Sequence, residues 1–283
     1  MTDHQMDIQT LRLQVEKIDA LPTIPAILKK LLNVIENPKI SLNDIGSFIS
    51  NDPVLTSRVL KIVNSPIYGF PGRISSVKQA LMLLGLNVIR GMLLGVSVFE
   101  AMQKTMVGLW EHSLGCAIVA RLIAEKKKMS DPEEISVAAL LHDIGKVILG
   151  LKFPDKYRET MAYAESKEIF IFDAEKDHFI ANHADAGSWV ARKWNFPCSL
   201  VETMEYHHKP HLSKNFLVQT SVVHVSDILI RAAGFGFAGD SFVPQVNASA
   251  WQAIDLSESD IKEILAEMRE SLDRAEDFLF SDE

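Results

Sequence analysis

Cysteine is scarce in this chain, with two thiols, Cys116 and Cys198, among 283 residues. That is too few for a disulfide framework, so both are read as buried thiols of a reducing compartment. No secretory leader is expected either, because the opening Met-Thr-Asp-His-Gln-Met-Asp has neither a basic nor an apolar region. No long apolar run is uninterrupted. The most hydrophobic window, Leu81 to Met102, carries Asn87, Arg90 and Glu100. An arginine at mid-membrane costs roughly 2.5–3.5 kcal/mol on insertion scales, so the window reads as a core helix pair. Within it, Gly91 and Gly95 permit close packing between helices. Excess positive charge is lacking too: 29 basic residues face 37 acidic ones, for a net charge of −8. That balance argues against broad nucleic-acid affinity, which needs Lys and Arg to neutralise phosphates. Lys126-Lys127-Lys128 is expected to be the solvated last turn of a helix. These absences lead to the expectation of a cytoplasmic protein with no membrane and no nucleic-acid partner.

Alternating strand patterns, internal repeats and low-complexity segments are absent as well. Apolar residues make up 47% and charged residues 23%, the balance of a globular chain that fills one large or two ordinary domains. Nearly every periodic segment has helical spacing, and the fold class is all-α. Residues 25–36 place Ile27, Leu28, Leu31, Leu32 and Ile35 on one face before Asn37-Pro38 ends the run. Ser41 and Asp44 resemble a capping box, and Pro53 suits the first turn of the following helix. Ser75-Ser76 opens a helix pair over 76–84 and 86–102. Further helices are expected over about 107–128, 133–149, 155–166, 172–193, 197–207 and 215–233. A loop begins at Gly234, and the acidic segment 257–279 closes the chain as an amphipathic helix.

Eight of the nine histidines fall between positions 112 and 224. The most informative stretch is Ala139-Leu-Leu-His142-Asp143-Ile-Gly-Lys146, followed downstream by His207-His208. Burying imidazole beside carboxylate is costly, and a divalent cation compensates both groups. On a helix, consecutive side chains diverge by about 100°, so neither pair is expected to chelate one ion as residues four apart would. Two ions could be served, with a carboxylate bridging them. Joined by another histidine and a further carboxylate, the pairs would make a cage suited to phosphoester hydrolysis. Lys146, one turn after His142, could reach a phosphate oxygen or the leaving group.

Leu140-Leu-His142-Asp143-Ile-Gly-Lys146 resembles the signature of the HD superfamily of metal-dependent phosphohydrolases. Leu21-Pro-Thr-Ile-Pro25, the segment from Ile49 through Asp52-Pro53 to Asn64-Ser65, and Ser76-Val-Lys-Gln-Ala80 through Gly85 are similar to the HDOD domain family. The resemblance covers residues 15–215. It implies a multi-helix HD-superfamily bundle with an N-terminal helical subdomain over 15–104. An HD-like core over 105–233 then runs past the family match, and residues 234–283 form a C-terminal loop and helix extension. Family members are mostly bacterial signalling and regulatory proteins, and many lack both metal ligands and hydrolase activity.

Carried over from the related HD-GYP phosphodiesterases, the resemblance implies as metal ligands His112, His142, Asp143, His183, His207, His208 and Asp227. It implies catalytic roles for Asp143 and Lys146. The cofactor would be one or two divalent ions, of Fe, Mn, Mg or Zn. Two departures stand out. Gly108 replaces an acidic ligand one turn before His112, and Lys209-Pro-His-Leu-Ser-Lys lacks the Asp-Gly-x-Gly-Tyr-Pro text of cyclic dinucleotide recognition. Of the other polar residues, His178 is expected off the His183 face, His211 in a solvated loop, and His224 packing or capping near Asp227. Glu175 and Asp185 are expected as helix-surface charges, with Asp185 near enough to support His183. Trp110, Trp189 and Trp194 are read as core anchors. Two functions follow. One is a signalling module that acts through a protein partner and retains a metal site. The alternative is a metal-dependent phosphohydrolase acting on a nucleotide or other phosphoester. A His-rich, carboxylate-bridged pair would also suit iron redox chemistry.

Overall fold

A computed structural model describes residues 7–17, 41–64, 68 and 73–280. The helix expected over 25–36 lies outside the described residues. Those described are helical throughout, with no strand among them. In chain order the helices are α1 (Ile8–Glu16), α2 (Leu42–Ser50), α3 (Pro53–Val63), α4 (Val77–Thr105), α5 (Leu109–Lys126), α6 (Pro132–Leu141) and α7 (Ile144–Lys152). Then come α8 (Pro154–Lys167), α9 (Ile171–Phe179), α10 (His183–Lys193), α11 (Cys198–Tyr206), a 3-10 turn (Pro210–Leu212), α12 (Leu217–Ala233), α13 (Ala248–Ile254) and α14 (Glu258–Phe280).

Local chemistry explains the helix ends. Ser41 and Asp44 form a reciprocal capping box on α2, and the Ser76 hydroxyl accepts from Gln79 N on α4. Asn64 closes α3 by pairing its amide with both backbone groups of Ile74, at 2.7 and 2.9 Å. The pair expected over 76–84 and 86–102 is one element kinked at Gly85, whose φ of 77° only glycine adopts freely. Beyond the kink, Gly91 and Gly95 lie against Val137 and Leu140 of α6, where an added Cβ at Gly91 would come within 2.1 Å of Val137. Among the described residues no single helix is long and apolar enough to cross a membrane.

Helix α5 is the spine, packed against α6, α12 and α14, while α10 packs on α7 and α11. One continuous core includes Ile89, Met92, Ile118, Val119, Leu140, Val147 and Trp194, and Trp110 joins it. Trp189 is only partly buried at its edge.

Three expectations need correction. The helix expected over 133–149 breaks at His142–Asp143, where His142 ends α6 and Asp143, at φ −97° and ψ 8°, begins α7. The helix expected over 172–193 breaks at Ile180, which is left-handed at φ 69°, and restarts from an Asn182–Asp185 capping box. Finally, Lys126 and Lys127 are not simply solvated. Lys126 pairs with Glu263 and with Asp260, and Lys127 donates to the Asp255 carbonyl at 2.7 Å, so the acidic α14 region is docked on α5 by opposite charge.

Candidate metal centre

The helix breaks build the site. Consecutive residues on an unbroken helix point apart, but His142 lies at the last turn of α6 and Asp143 at the head of α7. The chain turn between them brings His142 Nε2 to 3.3 Å from Asp143 Oδ2. The second pair uses the same device, since His207 caps α11 and His208 follows in the turn, with ring centroids 3.9 Å apart. The 100° divergence expected for both pairs therefore does not apply. Gly145 lets α7 close on α10: a Cβ there would lie 1.8 Å from the His183 carbonyl oxygen. That contact sets the backbone of His183 against the His-Asp turn.

All seven residues proposed from the sequence as ligands converge on one buried space. Asp143 lies at its middle, with Oδ1 facing His183 Nε2 at 3.1 Å and His207 Nε2 at 3.8 Å. Its Oδ2 faces His142 Nε2 and, at 3.5 Å, His112 Nε2. His112 Nε2 also lies 3.3 Å from Asp227 Oδ1, and His183 Nε2 lies 3.4 Å from His207 Nε2 and 2.8 Å from His208 Nε2. Six of the seven are at most 2% exposed, and His208 is partly buried.

The second ring nitrogens fix the tautomers. His142 Nδ1 donates to Ala139 O at 2.6 Å, and His207 Nδ1 to Met204 O at 2.7 Å. His183 Nδ1 lies 2.6 Å from Glu175 Oε2. In each neutral ring the Nε2 lone pair then points inward, toward other lone pairs and a carboxylate. His142 Nε2 and Asp143 Oδ1 are buried with no hydrogen-bond partner. Acceptors at these separations require a shared proton or a cation between them. Around them stand the buried carboxylates Asp143, Asp227 and Glu175, with one buried ammonium, Lys146. This donor set and charge deficit fit a divalent metal ion.

Burial dominates the electrostatics of the rings. It pushes the pKa values of His207 and His208 well below that of ordinary histidine, helped by the neighbouring imidazoles, and it lowers His112 against the pull of Asp227. At His183, burial is outweighed by Glu175, assisted by Asp143, and the shift is upward. Burial also opposes ionisation of Asp143 and Asp227. His142 and Lys146 nonetheless hold Asp143 far down, and the hydrogen bond from His112, with the nearby Arg231 charge, does the same for Asp227.

Lys146 does not face open space. Its Nζ donates to Asp143 Oδ2 at 2.5 Å and to the Ala238 carbonyl at 2.8 Å, and the side chain is 1% exposed. Ala238 belongs to a strap, residues 234–242, that covers the His112 side of the site. Phe237 N donates to Gly108 O at 2.9 Å, and that same oxygen accepts from His112 N at 3.0 Å. Gly108, at φ 90°, occupies the position of the missing acidic ligand, and a Cβ there would meet Phe237 at 2.9 Å. Asp240 fastens the strap by accepting from Ile171 N at 2.8 Å and pairing with Arg231. A cleft of about 170 Å³ reaches His208 past Phe172, whose ring stacks on that imidazole at 4.5 Å.

Sequence alone misplaces Glu175 and, while right that Cys116 is buried, gives Cys116 no place in the site. Glu175, expected on the surface, is wholly buried and accepts from His183 Nδ1, from His183 N at 2.7 Å and from the Tyr157 hydroxyl at 2.9 Å. Its link to His183 crosses a helix break, so periodicity carries no sign of it. Cys116, read only as a buried thiol, is buried with its Sγ 3.6 Å from His112 Nε2; their spacing of four on one helix was the available signal. Burial, reinforced by Asp227 and Asp143, raises its thiol pKa well above normal. Cys198, expected buried, is exposed. Asp185 serves the α10 capping box. His178 faces Thr160, 2.9 Å away on α8. His211 lies exposed in the 3-10 turn. His224 Nδ1 donates to His207 O at 2.7 Å while its Nε2 accepts from Asn247 N at 3.0 Å.

The chain belongs to the HDOD domain family, whose family model matches residues 21–210. Among solved structures, it is similar to an HDOD domain protein of unknown function from Geobacter sulfurreducens. That likeness has 27% identity, a TM-score of 0.70 and coverage of 95% of this chain and 97% of that one. A protein from Shewanella amazonensis SB2B shares the fold at 22% identity and a TM-score of 0.69, with 95% and 98% covered. An uncharacterized protein of Treponema pallidum (strain Nichols) is 27% identical over 237 residues. That match covers 80% of this chain, which thus spans only 46% of the relative's length.

Proposed function

We propose that this chain is a bacterial signalling module of the HDOD type that acts through a protein partner and retains an HD-type divalent-metal centre in its core. The observation that carries the reading is a converging, almost wholly buried donor set. Seven side chains converge, six of them at most 2% exposed, and the one ammonium beside them is held by Asp143 and the Ala238 carbonyl of the 234–242 strap. The ligands would be His112, His142, Asp143, His183, His207, His208 and Asp227. An ion so enclosed supplies cohesion: it cancels buried negative charge and ties α5, α6, α10, α11 and α12 together. For the partner surface, the exposed Met82 and Leu83 on α4 supply adjacent apolar contacts.

A second reading, a phosphohydrolase acting on a nucleotide or other phosphoester, is favoured by the position of Asp143. Its two oxygens face different histidines, which suits a carboxylate shared by two ions. A bound metal pair would supply Lewis acidity and an activated water. Lys146 would hold Asp143 in place, and the cleft at His208 would be the approach. Elemental analysis of protein purified without added metal, followed by phosphodiesterase and phosphatase assays with Mn²⁺ or Fe²⁺, tests the choice. The module reading expects bound metal and no turnover. Turnover abolished by Asp143→Ala would overturn it in favour of the enzyme.

A further inference from the structure

Two groups of donors flank Asp143, and they differ in chemistry. His183, His207 and His208 offer nitrogen alone, whereas the His112 side combines His112, His142, Asp227 and Cys116, with one ligand atom from each within 4.8 Å of the others. Cys116 stands one turn after His112 on α5, so both side chains leave the helix on the same face. In a tetrahedral site, metal–sulfur and metal–nitrogen bonds of about 2.3 and 2.0–2.1 Å separate S from N by about 3.5–3.6 Å. The observed Sγ–Nε2 distance is 3.6 Å. Nitrogen and carboxylate ligands of the same ion would lie about 3.3–3.4 Å apart by the same geometry. His112 Nε2 and Asp227 Oδ1 are 3.3 Å apart. The fourth member, His142, brings a buried Nε2 that has no hydrogen-bond partner.

We propose that Cys116 is a sulfur ligand in the His112–Asp227 half of the centre. That half then has two imidazoles, the Asp227 carboxylate and one thiolate of its own beside the shared Asp143, and is selective for zinc, cobalt or ferrous ion over magnesium or calcium. The inference rests on the metal-centre reading above and adds its donor chemistry. Thiolate favours softer ions, whereas magnesium and calcium prefer all-oxygen shells. The His183 half keeps harder nitrogen donors, so the two halves differ in selectivity. Binding as thiolate releases the Cys116 proton to solvent.

The test is cobalt titration of the full chain after chelator treatment, followed by electronic absorption. The expected result is visible ligand-field bands together with a near-ultraviolet thiolate-to-cobalt band. The near-ultraviolet band should disappear in Cys116→Ser and persist in Cys198→Ser. Because the chain has only two cysteines, persistence in Cys198→Ser assigns the band to Cys116 even if Cys116→Ser fails to fold. Ligand-field bands without the thiolate band in the parent chain would overturn sulfur ligation and leave the metal centre standing. Loss of the thiolate band in Cys198→Ser would also overturn it. Failure of the parent chain to take up cobalt would overturn both readings.

Discussion

Glu175→Ala should damage this protein more than its place on a short polar helix suggests. The carboxylate accepts three hydrogen bonds, from His183 Nδ1 at 2.6 Å, His183 N at 2.7 Å and the Tyr157 hydroxyl at 2.9 Å. Truncation leaves the donors on His183 and Tyr157 buried. Each unsatisfied buried group costs about 1–3 kcal/mol, so a total on the order of 3–5 kcal/mol is expected after partial relaxation. At about 2–4 °C per kcal/mol for a chain of this size class, the melting temperature should fall by about 6–20 °C. Glu175→Gln keeps the volume and one acceptor oxygen, so its stability cost should be smaller. It still weakens the hold on His183 Nδ1, and loss of such an orienting partner typically costs 10–100-fold in metal affinity. Thermal denaturation and metal titration of both variants separate these effects. If Glu175→Ala melts with the parent and binds metal equally well, the assignment of Glu175 as the orienting partner of His183 is wrong.

Gly236→Ala would place a Cβ 2.2 Å from His112 N. It should lift the 234–242 strap, which faster hydrogen exchange at Phe237 would report. Gly145→Ala would meet the His183 carbonyl at 1.8 Å. Separating α7 from α10 should cost at least about 1–3 kcal/mol, as overpacking does, and lower metal retention, both readable by denaturant unfolding and metal analysis. In the metal-free chain, burial depresses the pKa values of His207, His208 and His112, so their contribution to stability is complete above the unfolded value of about 6.5. It falls as pH drops below that value, by up to about 1.4 kcal/mol per pH unit per group. His183 is shifted upward and acts in the opposite sense, but three groups outweigh one. The denaturation midpoint should therefore fall between about pH 6.5 and 5; a flat or rising midpoint would contradict neutral burial of the three rings.

The helical class and most helix positions were legible in the sequence because periodicity and caps act locally. Ser41 with Asp44, Pro53 at the head of α3 and the apolar face of α14 all follow from neighbours within one or two turns. The convergence of the seven residues could be expected only through family resemblance, since no local rule relates positions 112 and 227. What stayed hidden depends on how the chain breaks. A continuous helical wheel over 172–193 puts Glu175 on the face of Phe172, Phe179 and Val190 but gives it no partner. Glu175 becomes a buried acceptor because Ile180 ends α9 and α10 restarts with His183 in its first turn. The strap was equally illegible: Gly236 and Gly239 read as loop formers, yet Gly236 sits against the backbone of His112, where no side chain fits.

Those breaks also explain how adjacent ligands can work at all. A side chain inside a helix must leave about 100° from its neighbour, which works against two consecutive residues chelating one ion. At a helix end the constraint lapses, because the next residue takes its own φ and ψ. At the same point the last carbonyls of the helix lack intrahelical donors. His142 and His207 use both properties, each sending Nδ1–H back three residues to a carbonyl of its own last turn, Ala139 O and Met204 O. One hydrogen bond satisfies a helix-end carbonyl, selects the tautomer and aims Nε2 at Asp143. A residue that caps its own helix in this way needs no separate partner to orient it. His183 sits at the N-terminus of α10, where N–H groups rather than carbonyls are left over, so it cannot cap in this way. It requires Glu175, which accepts from both its backbone and its ring.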